Sequence, residues 1–239
     1  MGGSLQLFEW SGWYTLRMHA MTDFQDLTEP QRRLLLRLEK EQCFTEHFYF
    51  TGGTLLKAIG IVPRESNDLD FFTFPEVDGR TYHALLGAIR SILDKLFGAE
   101  NVRNTERGFL IAEHGTRVEC VYDIVKNIDA FVPFGKLRTS SLKDFAANKA
   151  AAFCVRDEAK DMIDIAFLTK RKGWLLADIA DIAEERFRMG TISEEKLLAE
   201  LIQKRDLLTV PREIFLRNPE ENIAVVKAQV AFLIDHTTL

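Results

Sequence analysis

Residues 50–72 read FTGGTLLKAIGIVPRESNDLDFF, and the reading of Asp68 and Asp70 within them decides the fold. In a strand, residues two apart project from one face, so these two carboxylates point together while Leu69 and Phe71 point into a core. Two like charges in a half-buried strand repel and lose hydration, which costs several kcal/mol unless something neutralises them. Solvated aspartates on an exposed edge strand would escape that cost, but Leu69, Phe71 and Phe72 are too apolar for a strand lying wet on the surface. Divalent cations offer the other escape, because Mg²⁺ binds through one or two carboxylates together with phosphate oxygens.

Working outward, Phe48-Tyr49-Phe50 reads as a short buried strand, and Gly52-Gly53-Thr54 turns it into a helix from about Thr54 to Ile59. A helix start exposes free N–H groups and the positive dipole end, glycines let a phosphate approach the backbone, and Thr54 adds a hydroxyl donor. A third acid is expected from Val118-Glu119-Cys120-Val121, where Glu119 alternates with apolar residues. Asp123 keeps the same phase and is the alternative; Glu119 is preferred. Three carboxylates opposite a phosphate loop are the donor set of two-metal phosphoryl chemistry.

The rest of the chain supplies the frame. Thr28-Glu29-Pro30-Gln31 is a capping box opening a leucine-rich helix to about Gln42. Asp68–Phe74 alternates as a strand, Tyr82–Phe97 has helical spacing, and 109–112 with 118–122 flank a His114-Gly115 turn. Residues 127–140 read as irregular, with Pro133 and Gly135, and beyond them everything reads as helix: Ser141 and Asp144 cap one through about Val155, 157–170 continues it, and others lie near 174–188, 193–207 and 219–234. In 146–168, Lys149, Arg156 and Lys160 fall within about 40° at 100° per residue, with Asp164 four residues after Lys160. The alternatives for this row are a solvated face with i,i+4 ion pairs and, given the alanines around Lys149, a packed face presenting its cations to a triphosphate.

Composition sets the bounds. The chain has 239 residues, 46% hydrophobic and 28% charged, and a net charge of −5, so no global positive field marks it as a duplex binder. Its three cysteines form no C-x-x-C pair and its five histidines form no metal motif; the cysteines read as core residues in a reducing cytoplasm. No apolar run approaches the roughly 20 residues of a membrane helix, and the first residues lack the regions of a secretory signal. The expected division is a tail or extension over 1–20, with Met18 or Met21 as alternative starts, an α/β domain over 21–135, and a helical domain over 136–239 that completes the cleft.

These motifs together resemble the AbiEii/AbiGii-type nucleotidyltransferase toxins of the polymerase-beta-like superfamily. The resemblance covers roughly residues 28–170: the aromatic strand with Gly52-Gly53-Thr54, then Gly60, Arg64-Glu65-Ser66 and Asp68-Leu69-Asp70; the Glu119 strand; and Lys149, Arg156, Lys160-Asp161 and Asp164. It implies an α+β fold, a mixed sheet with flanking helices followed by an all-helical C-terminal region. It implies that Gly52, Gly53 and Thr54, with Arg64, Ser66, Lys149, Arg156 and Lys160, bind nucleotide, and that Asp68, Asp70 and Glu119 hold two Mg²⁺ (or Mn²⁺) ions. Asp161 and Asp164 would complete the catalytic set by ordering Lys149 or Arg156. Two positions depart from the pattern: Gly53 stands where serine is frequent, and Pro63 where histidine is. The implied activity is transfer of a nucleoside monophosphate from a triphosphate to a hydroxyl, on an RNA or tRNA end, by a cytoplasmic toxin with an antitoxin partner and no membrane. A small-molecule or protein acceptor, and a non-catalytic nucleotide-binding module, are the alternatives.

Overall fold

The computed structural model describes residues 26–112, 114–205 and 212–237. The expected tail over 1–20 lies outside the described residues. The capping box is formed: Thr28 accepts from the Gln31 N–H, Gln31 returns its side chain to the Thr28 N–H, and α1 runs Glu29–Leu38. A short α2 (Gln42–Thr45) leads into β1 (Phe48–Thr51), whose four residues are all buried. The chain passes directly into α3 (Gly52–Ala58), then β2 (Asp68–Thr73) and α4 (Gly79–Phe97), which Asp78 caps.

Three more strands follow, β3 (Val102–Thr105), β4 (Gly108–Ile111) and β5 (Thr116–Val121), the last two being the expected hairpin. The segment expected to be irregular instead holds β6 (Val132–Phe134) and β7 (Leu137–Thr139), an antiparallel pair joined at β7 to β1. Each is only three residues long, too short for alternation to show, and Pro133 is tolerated because β6 is an edge strand. This hairpin crosses residues 135 and 136, where the sequence reading divides the chain.

The seven strands make one mixed sheet in the order β3-β4-β5-β2-β1-β7-β6. β2 lies antiparallel to β1 and parallel to β5. One face of its centre carries Phe48, Phe50, Leu69 and Phe71, with Phe44 of α2 packed on Phe48 and Phe71 at ring distances of 5.0 and 4.7 Å. The other face carries Tyr49, Asp68, Asp70 and Phe72 and meets the helical half through Arg186 of α7 (Leu176–Phe187).

The helical half comprises α5 (Leu142–Phe153), α6 (Ala159–Lys172), α7, α8 (Glu194–Lys204) and α9 (Pro219–Asp235). Ser141 caps α5 by accepting from Asp144 N–H, as expected. The row of cations expected along 146–168 is not on one helix. The turn at 154–158 separates Lys149 on α5 from Lys160 on α6 and puts Arg156 between them. Lys204 of α8 fixes that turn by donating to the Phe153 and Arg156 carbonyls, so α5 ends where a long helix would have continued. Among the described residues no helix is long and apolar enough to cross a membrane. The three cysteines are free; Cys120 is buried and the other two are partly so.

Candidate active site

The carboxylate strand behaves as its alternation requires. Leu69 and Phe71 are fully buried, Asp68 and Asp70 are partly exposed, and the β2–β5 register sets Asp70 opposite Glu119. Paired residues of neighbouring strands share a face, so Asp68, Asp70 and Glu119 project to the same side. Asp123 is drawn away. Two residues beyond β5 it falls under α7, where its carboxylate accepts from Tyr49 Oη at 2.8 Å and Arg186 Nη2 at 3.0 Å. Glu119, not Asp123, therefore remains on the open part of the face.

Gly52 and Asp70 are shaped to one another. Gly52 has φ +83°, and a Cβ there would stand 1.7 Å from Asp70 Oδ2. Any side chain would need a left-handed backbone and would displace the carboxylate. Gly52→Ala is expected to cost at least about 1–2 kcal/mol, with the melting curve as the readout. Thr51, at the N-cap of α3, makes no side-chain capping bond to the first-turn N–H groups; its hydroxyl instead meets Ser140 Oγ at 3.0 Å.

Two side chains of the expected nucleotide-binding group, Thr54 and Arg64, are committed elsewhere. Thr54 is fully buried, and its hydroxyl donates to the Ser66 and Asp68 carbonyls at 3.2 and 2.5 Å, so it braces the loop rather than facing a phosphate. Arg64, 3% exposed, donates from Nε and Nη2 to both oxygens of the fully buried Asp164 at 2.7 and 2.6 Å. A Cβ on Gly53 would lie 2.4 Å from Arg64 Nη2, which explains glycine here: the guanidinium occupies the space of a serine side chain. Lys160 bonds Glu158 at 2.7 Å and not Asp164, the i+4 partner expected from the sequence. Ser66 is partly exposed, and its Oγ lies beside Gly53, 3.1 Å from where a Cβ would stand.

Lys149 sits in the middle of a buried chain of charges. Its ammonium is 2.9 Å from Asp161 Oδ1 and 2.7 Å from Asp164 Oδ2. Arg156 closes the outer end with Nε 2.7 Å from Asp161 Oδ2. Three cations thus share two carboxylates, leaving a net positive charge of one. Burial alone would raise Asp161 and Asp164, but Lys149 with Arg156 for the first, and Lys149 with Arg64 for the second, hold both below the ordinary carboxylate range. Asp70 goes the other way: burial first, then Glu119 and Asp68, push its carboxyl up to about 7 despite Lys149 and Lys160.

The donor set fits a hard divalent cation. Asp68, Asp70 and Glu119 offer only oxygens on one face, and the Asp70 carboxyl, raised first by burial and then by Glu119 and Asp68, is one whose charged form a divalent cation would favour. Among the described residues, no three acidic, His or Cys side chains close into a ready-made ligand cluster. The three acids expected to hold metal share a face without being drawn together.

Several contributors escaped the sequence reading. Gln31, Lys57, Arg186 and Lys204 each place a buried polar group on the scaffold of this site. The one available signal was a lysine in the apolar run Leu55-Leu56-Lys57-Ala58-Ile59. The last 70 residues also reach the site: Glu65 N donates to the Ile214 carbonyl at 2.7 Å and Leu216 N to the Pro63 carbonyl at 3.1 Å, clamping Arg64 from behind.

The site is thus an acid pair beside a diglycine turn on a mixed sheet, backed by a helical layer. The chain belongs to the family of nucleotidyl transferase AbiEii toxins of type IV toxin–antitoxin systems, whose model matches residues 33–231. An uncharacterized protein, aq_aa25 of Aquifex aeolicus (strain VF5), is 29% identical over 144 residues, spanning 59% of this chain and 66% of that protein. Among solved structures, JHP933 of Helicobacter pylori is similar at 18% identity and a TM-score of 0.47, over 87% of this chain and 94% of its own.

Proposed function

We propose that the protein transfers a nucleoside monophosphate from a nucleoside triphosphate to a hydroxyl on an RNA or tRNA end, as the toxin half of a toxin–antitoxin pair. The observation that carries this reading is the fit of the Asp70 carboxylate against Gly52, with Glu119 opposite in register. Acids that would hold cations and a turn that would hold phosphates are thereby in contact.

Asp68, Asp70 and Glu119 are the residues that would hold Mg²⁺ or Mn²⁺. Such ions, when bound, supply Lewis-acid stabilisation of phosphate charge and lower the pKa of an acceptor hydroxyl. The chain's own part is positioning and charge. The side-chain-free N–H groups at the start of α3 receive phosphate oxygens, with Gly52 and Gly53 permitting the approach and the Ser66 hydroxyl beside them. Lys149, Arg156 and Lys160 set a positive field opposite the acids, and Asp161 and Asp164 fix Lys149 within it. The acceptor oxygen bonds to the α-phosphorus, the bond to the β-phosphate oxygen breaks, pyrophosphate leaves, and Glu119 or solvent takes the proton.

Labelled triphosphates, Mg²⁺ and total RNA form the test. Label is expected in RNA with release of one pyrophosphate per transfer, and Asp68→Asn should lose both while remaining folded. Label appearing only in protein or small molecules would replace the RNA acceptor; pyrophosphate-free binding would leave a nucleotide sensor.

A further inference from the structure

Lys57 is 1% exposed, and among the described residues no carboxylate lies within ion-pair distance of it. Its ammonium donates to the Ser66 carbonyl at 3.0 Å and reaches Gln31 Oε1 at 3.5 Å. The same carbonyl accepts from Gln31 Nε2 at 2.8 Å and Thr54 Oγ1 at 3.2 Å, making three donors on one oxygen. Helical spacing explains the convergence: Lys57 follows Gly53 by four residues and Thr54 by three, which sets it beside both on α3. That face is a mould for residues 64–68. Gly53 admits Arg64, while Thr54 and Lys57 grip Ser66 and Thr54 also holds the Asp68 carbonyl.

A buried ammonium with no carboxylate in direct contact, and only the more distant charges of Glu65 and Asp26 to offset its burial, is an expensive way to hold a carbonyl that already has two other donors. Burial lowers the pKa of Lys57, so the fold carries a penalty that an apolar side chain would relieve. A group that burdens stability yet holds the Ser66 carbonyl, two residues before Asp68, has its use in the site.

We propose that Lys57 is a positioning residue for nucleotidyl transfer, acting through the Ser66 carbonyl to set where Asp68 and the Ser66 hydroxyl stand. The inference rests on the nucleotidyl-transfer reading and names a residue on which that reading does not depend. Its consequence is an inversion of the usual pattern, in which a core substitution harms stability first.

The test compares wild type, Lys57→Met and Lys57→Arg by thermal melting, Mn²⁺ affinity from electron paramagnetic resonance, and transfer kinetics. Lys57→Met is expected to melt at or above the wild-type temperature, to bind Mn²⁺ about tenfold more weakly and to lose about 10–100-fold in kcat, the range for residues that orient metal ligands, with a smaller change in KM. Lys57→Arg keeps a donor and should recover most of both losses. A folded Lys57→Met with full Mn²⁺ affinity and kcat overturns the proposal, as does one that unfolds, because Lys57 would then be a core residue only. Failure of Lys57→Arg to restore either quantity also overturns it. If the wild type transfers no nucleotide, the proposed reaction falls, while Mn²⁺ affinity still decides Lys57. Wild type that binds no Mn²⁺ removes both.

Discussion

Replacing Asp70 by asparagine is expected to lower nucleotidyl transfer by about 10²–10³-fold while raising the melting temperature by roughly 2–5 °C at pH 8. The two effects have one cause. Asp70 is held where burial and Glu119 push its carboxyl up to about 7, against about 3.9 in an unfolded chain. The folded state therefore keeps a proton that the unfolded state releases, and stability falls as pH rises from about 4 towards 7. At pH 8 the wild type carries this penalty in full, and asparagine, itself a polar group in a buried place, recovers only part of it. Below about pH 3 both states are protonated and the gain should vanish. Added Mg²⁺ should stabilise wild type and leave Asp70→Asn unmoved. Equal melting at all pH values, with or without Mg²⁺, would show that Asp70 does not carry the charge assigned to it.

Asp164→Ala should have the largest effect on stability. Asp164 is fully buried and takes both Arg64 nitrogens and the Lys149 ammonium. Among the described residues, removing it leaves Arg64 with the Glu65 carbonyl and Lys149 with Asp161. Breaking a buried pair in this way costs about 3–5 kcal/mol, or roughly 6–20 °C in Tm for a chain of this size. The sign of the pH dependence is opposite to that of Asp70. Asp164 sits below the ordinary carboxylate range, so its contribution is fully present above the unfolded pKa and is lost as pH falls through the folded one. The gap between wild type and Asp164→Ala should be constant at neutral pH and close below about pH 4. Asp164→Asn, which keeps an oxygen acceptor, should lie between them. A gap of under 1 kcal/mol in urea titrations would mean that the network adds nothing net.

The site was legible where chemistry follows local periodicity. The alternation of Asp68-Leu69-Asp70-Phe71 sets which side chains share a face whatever surrounds them, and Thr28 and Ser141 announce helix starts by hydrogen bonds closed within four residues. The β6–β7 pair was not legible, because three-residue strands carry no period and are stabilised by β1, more than 80 residues away in sequence. Helical phase likewise placed Lys149, Arg156 and Lys160 on one row, but the row exists only in a continuous helix, and Lys204 ends α5 from another element.

The sequence by itself determined that two acids face one way from a greasy strand, that a diglycine turn precedes them, and that Glu119 alternates with apolar neighbours in a strand of its own, since each depends on neighbours a few residues away. That Glu119 stands opposite Asp70 was decided by the β2–β5 register. Only the tertiary structure decided that Arg64 belongs to Asp164, that Thr54 braces a loop, that Asp123 answers to Arg186 and that Lys57 holds Ser66. Those pairings join residues between nine and a hundred positions apart. Buried charges choose partners by distance and desolvation in the assembled fold, and a linear pattern holds neither.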